Sequence, residues 1–226
     1  MTMSKNLLVQ QGDCCKLLAA CFYEPEKGLF VQENLCENLA SLLAADGCHA
    51  AAKAAQAMHA SLQAADEEEL KAEHARLFIG PFELAAPPYG SIYLENTRRV
   101  MGDSTVAVQK LYRAAGLALE VAEAPDHIAL ELEFMHFLIM GEADAVARND
   151  QDEATAFVAT QSRFLLQYLA PWVPKFCAAI RTGTTNGFYT SLADCLEGFV
   201  ATLAHRHKST DFTTRPENTH ACGASA

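Results

Sequence analysis

Residues 7–22 read LLVQQGDCCKLLAACF, a stretch whose apolar side chains recur at intervals of three and four residues. That period places one apolar stripe along a single helix. The stripe consists of Leu7, Leu8, Cys14, Cys15, Leu18, Cys21 and Phe22. The same helical period continues through most of the 226 residues, and no strand pattern of any length is present. We therefore predict an all-α protein.

The helical pattern divides into segments that end at turn-forming residues. Asp66 is the expected N-cap of one segment, and Asp103 or Ser104 of another. The predicted helices cover about 7–22, 30–45, 50–64, 66–78, 103–116, 125–148, 152–169, 172–181 and 188–205. We expect a single bundle-like domain of about nine or ten helices over residues 1–207, followed by a polar, disordered tail over residues 208–226.

The charge balance is acidic, with 17 Lys and Arg against 28 Asp and Glu and a net charge of −11. An acidic surface repels the phosphates of nucleic acids and of anionic lipids, and it attracts basic peptides. Asp13 and Lys16 interrupt the first apolar stretch, so no signal peptide is expected. No apolar run is long enough for a membrane span, and we expect a cytoplasmic protein.

Eight cysteines are present, and none forms a Cys-x-x-Cys pair. In the cytoplasm they should be free thiols. Cys14, Cys15 and Cys21 lie among Leu and Ala in a helical pattern, where cysteine packs as a small apolar side chain. We therefore expect structural roles for them.

The longest break in the helical pattern is GPFELAAPPYG, residues 80–90. Paired prolines exclude helix there and favour an extended backbone. Because a long apolar loop is unusual in a helical domain, this loop is a candidate functional segment.

Motifs for phosphate binding, zinc proteolysis and serine hydrolysis are absent, so no enzymatic activity and no cofactor are expected. Glu133 and His136 have the Glu-x-x-His spacing of helical di-metal sites, and Glu217 and His220 repeat it in the polar tail. The sequence from His205 to His207 is a weaker metal signal. A helical metal-binding protein is therefore one alternative interpretation. A helical nucleotide-binding protein without a recognisable phosphate loop is the other.

Three short motifs occur in order: Arg-Leu-Phe-Ile-Gly-Pro from Arg76, Pro-Pro-Tyr-Gly-Ser from Pro87, and Asp-His-Ile-Ala-Leu-Glu-Leu from Asp126. Their content and separation resemble the TorD/DmsD family of redox-enzyme maturation chaperones, and the DmsD-like branch most closely. The resemblance covers most of residues 7–205. Tyr89 and Tyr93 stand where close relatives carry tryptophan, so the aromatic surface is kept with smaller rings.

The resemblance implies a chaperone that binds the twin-arginine signal peptide of a molybdopterin oxidoreductase precursor before export by the Tat pathway. The precursor is the implied partner, together with Tat translocase components, and the chain itself would be a monomer or a homodimer. The implied peptide-binding residues are Tyr23, Arg76, Leu77, Phe78, Pro87, Pro88, Tyr89, Ser91, Tyr93, Asp126, His127 and Glu131.

Simple physical chemistry also favours these positions. A twin-arginine signal joins a basic segment to an apolar one, so its binding site needs carboxylates beside an apolar groove. We expect Asp126 and Glu131 to supply the carboxylates. His127 and Glu131 are four residues apart, so we expect them to touch on one helical face and His127 to hold its proton. Arg76 has an alternative role as an ion-pair partner of Glu73.

Overall fold

The structure is a computed structural model that describes residues 4–80, 83–95, 100–118 and 123–213, with side chains as far as residue 209. The all-α class is confirmed. The described residues form eleven α-helices: α1 (Lys5–Ala20), α2 (Lys27–Gln32), α3 (Leu35–Ala45), α4 (His49–Ala64), α5 (Glu67–His74), α6 (Gly90–Leu94), α7 (Asp103–Ala114), α8 (Ile128–Ala147), α9 (Gln151–Phe164), α10 (Val173–Gly183) and α11 (Gly187–Thr213).

Two sets of long helices enclose the core. The apolar helix α8 packs along α1 and α9, while α11 packs along α4 and α10. Close approach of α8 and α9 depends on Gly141, because a Cβ there would lie 2.4 Å from the ring of Phe157. Large side chains such as Trp172, Phe164 and Tyr189 are fully buried between the layers. This packing holds α8 rigidly from its first turn onward.

The predicted helix over residues 30–45 is wrong as a single element. The chain turns at Asn34, which has a left-handed backbone with φ of 49°, and the segment divides into α2 and α3. Asparagine tolerates this conformation better than most residues. The Asn38 side chain donates to the Glu33 carbonyl at 2.9 Å, which further ties the turn.

Helix starts were predicted with mixed success. Asp66 caps α5 as expected, since its Oδ1 accepts from the backbone N–H groups of Glu68 and Glu69. By contrast, neither Asp103 nor Ser104 is the N-cap of α7. That residue is Gly102, and Glu95 accepts from the backbone N–H of Ser104 at 2.8 Å.

Two further elements differ from the prediction. The five-residue helix α6 follows the proline-rich loop and was not expected. Helix α11 extends to Thr213, beyond the predicted end near His205 and into the first residues of the predicted tail. Residues 214–226 lie outside the described part of the chain, and so does the Glu217–His220 pair.

The seven cysteines among the described residues are free and buried in the core, as expected. Burial raises the pKa of these thiols, for example that of Cys48 to about 11, which keeps them protonated. Within the described residues, no helix combines the length and the apolar character needed to cross a membrane.

Candidate functional site

The proline-rich loop is fastened to the start of α8 by a short antiparallel bridge between Tyr89 and His127. The Ile128 N–H donates to the Pro88 carbonyl, and the Gly90 N–H donates to the Asp126 carbonyl, both at 2.9 Å. The structure thus brings together two of the sequence motifs that lie almost forty residues apart.

A buried aromatic base supports the loop from behind. Trp172 stacks on Tyr93, with ring centroids 5.6 Å apart and an angle of 14° between the planes. Gly90 lies so close that a Cβ there would come within 2.9 Å of the indole Nε1. The indole N–H in turn donates to Glu131 at 3.0 Å. Loop, α8 and α10 are therefore fixed to one another at this point.

In front of the loop lies an open groove with an aromatic and apolar lining. His127 is central, because the Tyr23 ring lies parallel to it at 6.4 Å and the Tyr89 ring meets it at 5.5 Å and 70°. Ile79 is 62% exposed, an unusual position for a large apolar side chain. The groove is lined by Phe22, Tyr23, Glu24, His74, Phe78, Ile79, Leu84, Tyr89, Glu123 and His127.

Exposed carboxylates stand around this groove. The Tyr89 hydroxyl donates to Glu123 at 3.0 Å, and the Tyr23 hydroxyl donates to Glu133 at 2.9 Å. Burial together with the negative charge of Glu123 raises the pKa of Tyr89 to about 12, and burial with Glu133 raises the pKa of Tyr23 further. Among the described residues, no Lys or Arg forms an ion pair with Glu123, Glu133 or Glu24.

The two carboxylates expected in the site, Asp126 and Glu131, do not face the groove. Asp126 is 1% exposed and accepts from the Ser91 backbone N–H at 2.7 Å. Glu131 is fully buried, and burial raises the pKa of its carboxyl well above 4.5 despite the hydrogen bond from Trp172. The packing of the loop encloses both carboxylates, so neither is exposed to a ligand in the groove.

The expected pairing of His127 with Glu131 is also wrong. His127 is the N-cap of α8, and its Nδ1 accepts from the Ala129 N–H at 3.2 Å. Burial lowers the pKa of His127, which Glu123 and Asp126 oppose only in part. The imidazole is therefore neutral near pH 7, with its proton on Nε2. Its role in the groove is that of a ring surface.

The remaining expected site residues divide into supporting and lining positions. Leu77 is fully buried and Phe78 is 4% exposed, although one edge of Phe78 reaches the groove. Arg76 forms two hydrogen bonds to Glu73 at 2.6 and 2.8 Å and one to the Gly183 carbonyl at 2.5 Å. This bears out the alternative role of Arg76.

Four other expected residues lie on the inner side of the loop and of helix α6. Pro88 and Ser91 are buried and Pro87 is half-buried. Tyr93 is half-buried as well, and its hydroxyl is enclosed without a hydrogen-bond partner among the described residues. Together these residues shape and hold the loop that carries Tyr89.

Sequence reasoning missed the groove residues Glu24, His74, Ile79, Leu84 and Glu123, and it missed the contact of Glu133 with the groove residue Tyr23. His74 lies next to the Arg-Leu-Phe motif, and Glu24 follows the recognised Tyr23. Proximity to a motif was thus the available signal for these two. Nothing in the local sequence distinguishes the acidic residues near the groove from those on other surfaces.

The alternative of a metal site finds no support in the described residues. They contain no group of three or more His, Cys, Asp or Glu side chains that could hold a metal ion. Glu133 is hydrogen-bonded to Tyr23, and His136 Nδ1 lies 2.9 Å from the Gly12 carbonyl. The Glu-x-x-His spacing is therefore used for two separate contacts of α8 with α1 and its flank.

Comparison with protein-family models shows to which family this chain belongs. The model of the family described as nitrate reductase delta subunit matches residues 43–178, more than half of the 226 residues. The chain belongs to this family. The match extends from the end of α3 into α10, so it contains the proline-rich loop, His127 and both Glu123 and Glu133.

Curated relatives in this family group are named chaperones, and the expected resemblance to TorD and DmsD is confirmed. The chaperone protein TorD of Vibrio atlanticus is 29% identical over 133 residues, covering 58% of this chain and 60% of that protein. The Tat proofreading chaperone DmsD of Salmonella typhi is 30% identical over 128 residues, covering 56% of each chain. The matched region thus spans less than two thirds of these relatives.

A solved structure supports the fold. The crystal structure described as a redox enzyme maturation protein from Archaeoglobus fulgidus aligns with a TM-score of 0.50. The alignment covers 89% of this chain and 95% of that one at 22% sequence identity. This likeness shows that the helical arrangement is shared.

Proposed function

We propose that the protein is a cytoplasmic chaperone that binds the twin-arginine signal peptide of a molybdopterin oxidoreductase precursor. Binding would hold the precursor back from Tat export until its cofactor is in place. The protein contributes recognition and catalyses no reaction. Its named relatives, TorD and the Tat proofreading chaperone DmsD, support this class of function.

One observation carries the proposal: an aromatic groove lies next to three exposed carboxylates, those of Glu24, Glu123 and Glu133, that form no ion pair with Lys or Arg among the described residues. Unpaired carboxylates beside apolar rings complement a peptide that is basic at one end and apolar at the other. Arginine suits such a surface, since its guanidinium both stacks on aromatic rings and donates to carboxylates. The acidic net charge adds long-range attraction for a basic ligand.

The groove also offers apolar surface to a peptide. Exposed apolar side chains such as Ile79 and the 39% exposed Tyr23 offer surface for the apolar segment of the signal. Ordering a flexible peptide offsets much of the gain from burial, so we expect a dissociation constant of about 1 µM. Such an affinity allows release when the client is mature.

Calorimetric titration with a twin-arginine signal peptide from a molybdopterin oxidoreductase tests the proposal. We expect saturable binding that weakens by about 10-fold or more in Tyr23→Ala, since a groove aromatic is a typical binding hot spot. Met101→Ala is the matched control, because Met101 is 64% exposed and is not among the residues that line the groove.

A second peptide, with glutamines replacing both arginines and the apolar segment unchanged, completes the experiment. It should bind at least 10-fold more weakly, as expected when two charge-assisted contacts are lost. Equal binding of the two peptides, or no binding of the arginine peptide to folded protein, would show that the proposed function is wrong.

A further inference from the structure

Two matched tyrosine–glutamate pairs adjoin the groove, and both of their tyrosine rings contact one histidine, His127. Tyr89 donates to Glu123, and Tyr23 donates to Glu133, at 3.0 and 2.9 Å. Both tyrosine rings lie against His127, one parallel to it and one nearly perpendicular. The two pairs come from four different segments of the chain, yet they present the same chemical groups.

Each pair has unused hydrogen-bonding capacity. The Tyr89 hydroxyl donates to Oε2 of Glu123, and the Tyr23 hydroxyl donates to Oε1 of Glu133. The described residues supply no donor to the other carboxylate oxygen of either glutamate. A phenol oxygen that donates its proton still accepts through its lone pairs. Each pair therefore offers a carboxylate oxygen and a neighbouring phenol oxygen, two acceptors that fit the fork of one guanidinium.

A second observation at the same groove is a buried acceptor without a partner, on a side chain that lines it. His74 is 3% exposed, and its Nε2 lies 3.2 Å from the Phe22 carbonyl. Since a carbonyl only accepts, Nε2 carries the proton. Nδ1 is then left as an acceptor that is buried and has no partner among the described residues. A peptide N–H lying in the groove would satisfy it.

The geometry of an extended peptide fits two separate acceptor pairs better than one. Neighbouring Cα atoms are about 3.8 Å apart, and successive side chains of an extended chain point to opposite sides. Two adjacent arginines therefore place their guanidinium groups well apart. A single carboxylate could take only one of them, whereas the two tyrosine–glutamate pairs around His127 supply two receptors.

Resting on the proposed function, we propose that Glu123 with Tyr89 and Glu133 with Tyr23 each receive one arginine of the twin-arginine motif. The two glutamates are then the residues that distinguish an arginine pair from other basic sequences. Lysine would be a poorer ligand at both places, because an ammonium group donates from a single nitrogen and lacks the planar two-nitrogen fork that matches two neighbouring acceptors.

The test combines protein variants with peptides in which one arginine at a time is changed to glutamine. Glu123→Gln and Glu133→Gln keep an acceptor for the tyrosine hydroxyl while removing the charge. Each variant should bind the arginine-pair peptide about 10-fold more weakly than the wild type, the effect of one charge-assisted contact. Glu153→Gln on α9, whose carboxylate pairs with Arg148, changes the net charge equally and is the control.

The way in which the losses from protein and peptide changes combine identifies which glutamate binds which arginine. Glu123→Gln should add nothing to the loss caused by changing one arginine, and it should multiply the loss caused by changing the other to about 100-fold. Glu133→Gln should show the reverse pattern. Losses that multiply for both arginines, coupling of both glutamates to the same arginine, or effects no larger than that of Glu153→Gln would overturn the inference while the proposed function stands. Failure of the wild-type protein to bind the arginine-pair peptide would remove both.

Discussion

Two pairs of carboxylates lie within eleven residues of one another and have opposite surroundings. Glu123 and Glu133 are exposed and receive a tyrosine hydroxyl each, whereas Asp126 and Glu131 are enclosed by the proline-rich loop, the first turn of α8 and Trp172. The exposed pair is available to a ligand. The buried pair accepts hydrogen bonds from the Ser91 backbone and the Trp172 indole, so carboxylates only a few residues apart differ completely in their access to solvent.

Removal of Asp126 should have the largest effect on stability. Asp126→Ala leaves the buried Ser91 N–H without an acceptor and loses a hydrogen bond to a charged group, so the free energy of unfolding should fall by about 3 kcal/mol. Urea denaturation measures this change. Asp126→Asn retains a carbonyl acceptor and should recover much of the loss. If Asp126→Ala were as stable as the wild type and only peptide binding failed, Asp126 would belong with the exposed pair.

Replacing Glu131 by glutamine should have an intermediate effect on the free energy of unfolding, and in the opposite direction: the variant should be more stable than the wild type. Because its pKa is raised in the folded protein, the carboxyl's contribution to stability is complete below its unfolded pKa of about 4.5 and is lost as the pH rises towards the folded value. Glu131→Gln removes this loss and keeps an acceptor for the Trp172 N–H. We expect the free energy of unfolding to rise by about 1–2 kcal/mol at pH 8.

Urea titration of both proteins at two pH values provides the control for the Glu131 prediction. At pH 5 the wild type and Glu131→Gln should differ much less than at pH 8 in the same urea titration. A variant that is destabilised equally at both pH values would mean that the carboxyl makes a hydrogen bond that an amide cannot replace, and that its proton is not the source of the difference.

The smallest expected effect on stability belongs to the exposed pair. Glu123→Gln should change the free energy of unfolding by no more than about 0.5 kcal/mol, as is usual for surface substitutions, since the amide still accepts from Tyr89. Its thermal and urea unfolding curves should superimpose on those of the wild type. A large loss of stability would show that Glu123 supports the fold in the manner of Asp126.

The long helices and the proline-rich loop were predictable because each has a strong local signal. Apolar periodicity marks α8 and α11, and the paired prolines mark the loop. The break at Asn34 and the short helix α6 were not predictable, since one residue or one turn carries too little pattern. The division of carboxylates depends on a tryptophan 41 residues after Glu131, a contact that only tertiary packing creates.

The bridge between the loop and α8 also has a consequence for the cost of binding. Fixing the backbone of a free residue costs about 1–2 kcal/mol of conformational entropy, and a loop that ordered only on contact would subtract this from the affinity residue by residue. Here two backbone hydrogen bonds hold the residues beside Tyr89 in advance. The prolines further limit the alternatives open to the unfolded loop. In the proposed complex, most of the ordering cost would therefore fall on the peptide and little on the backbone of the loop.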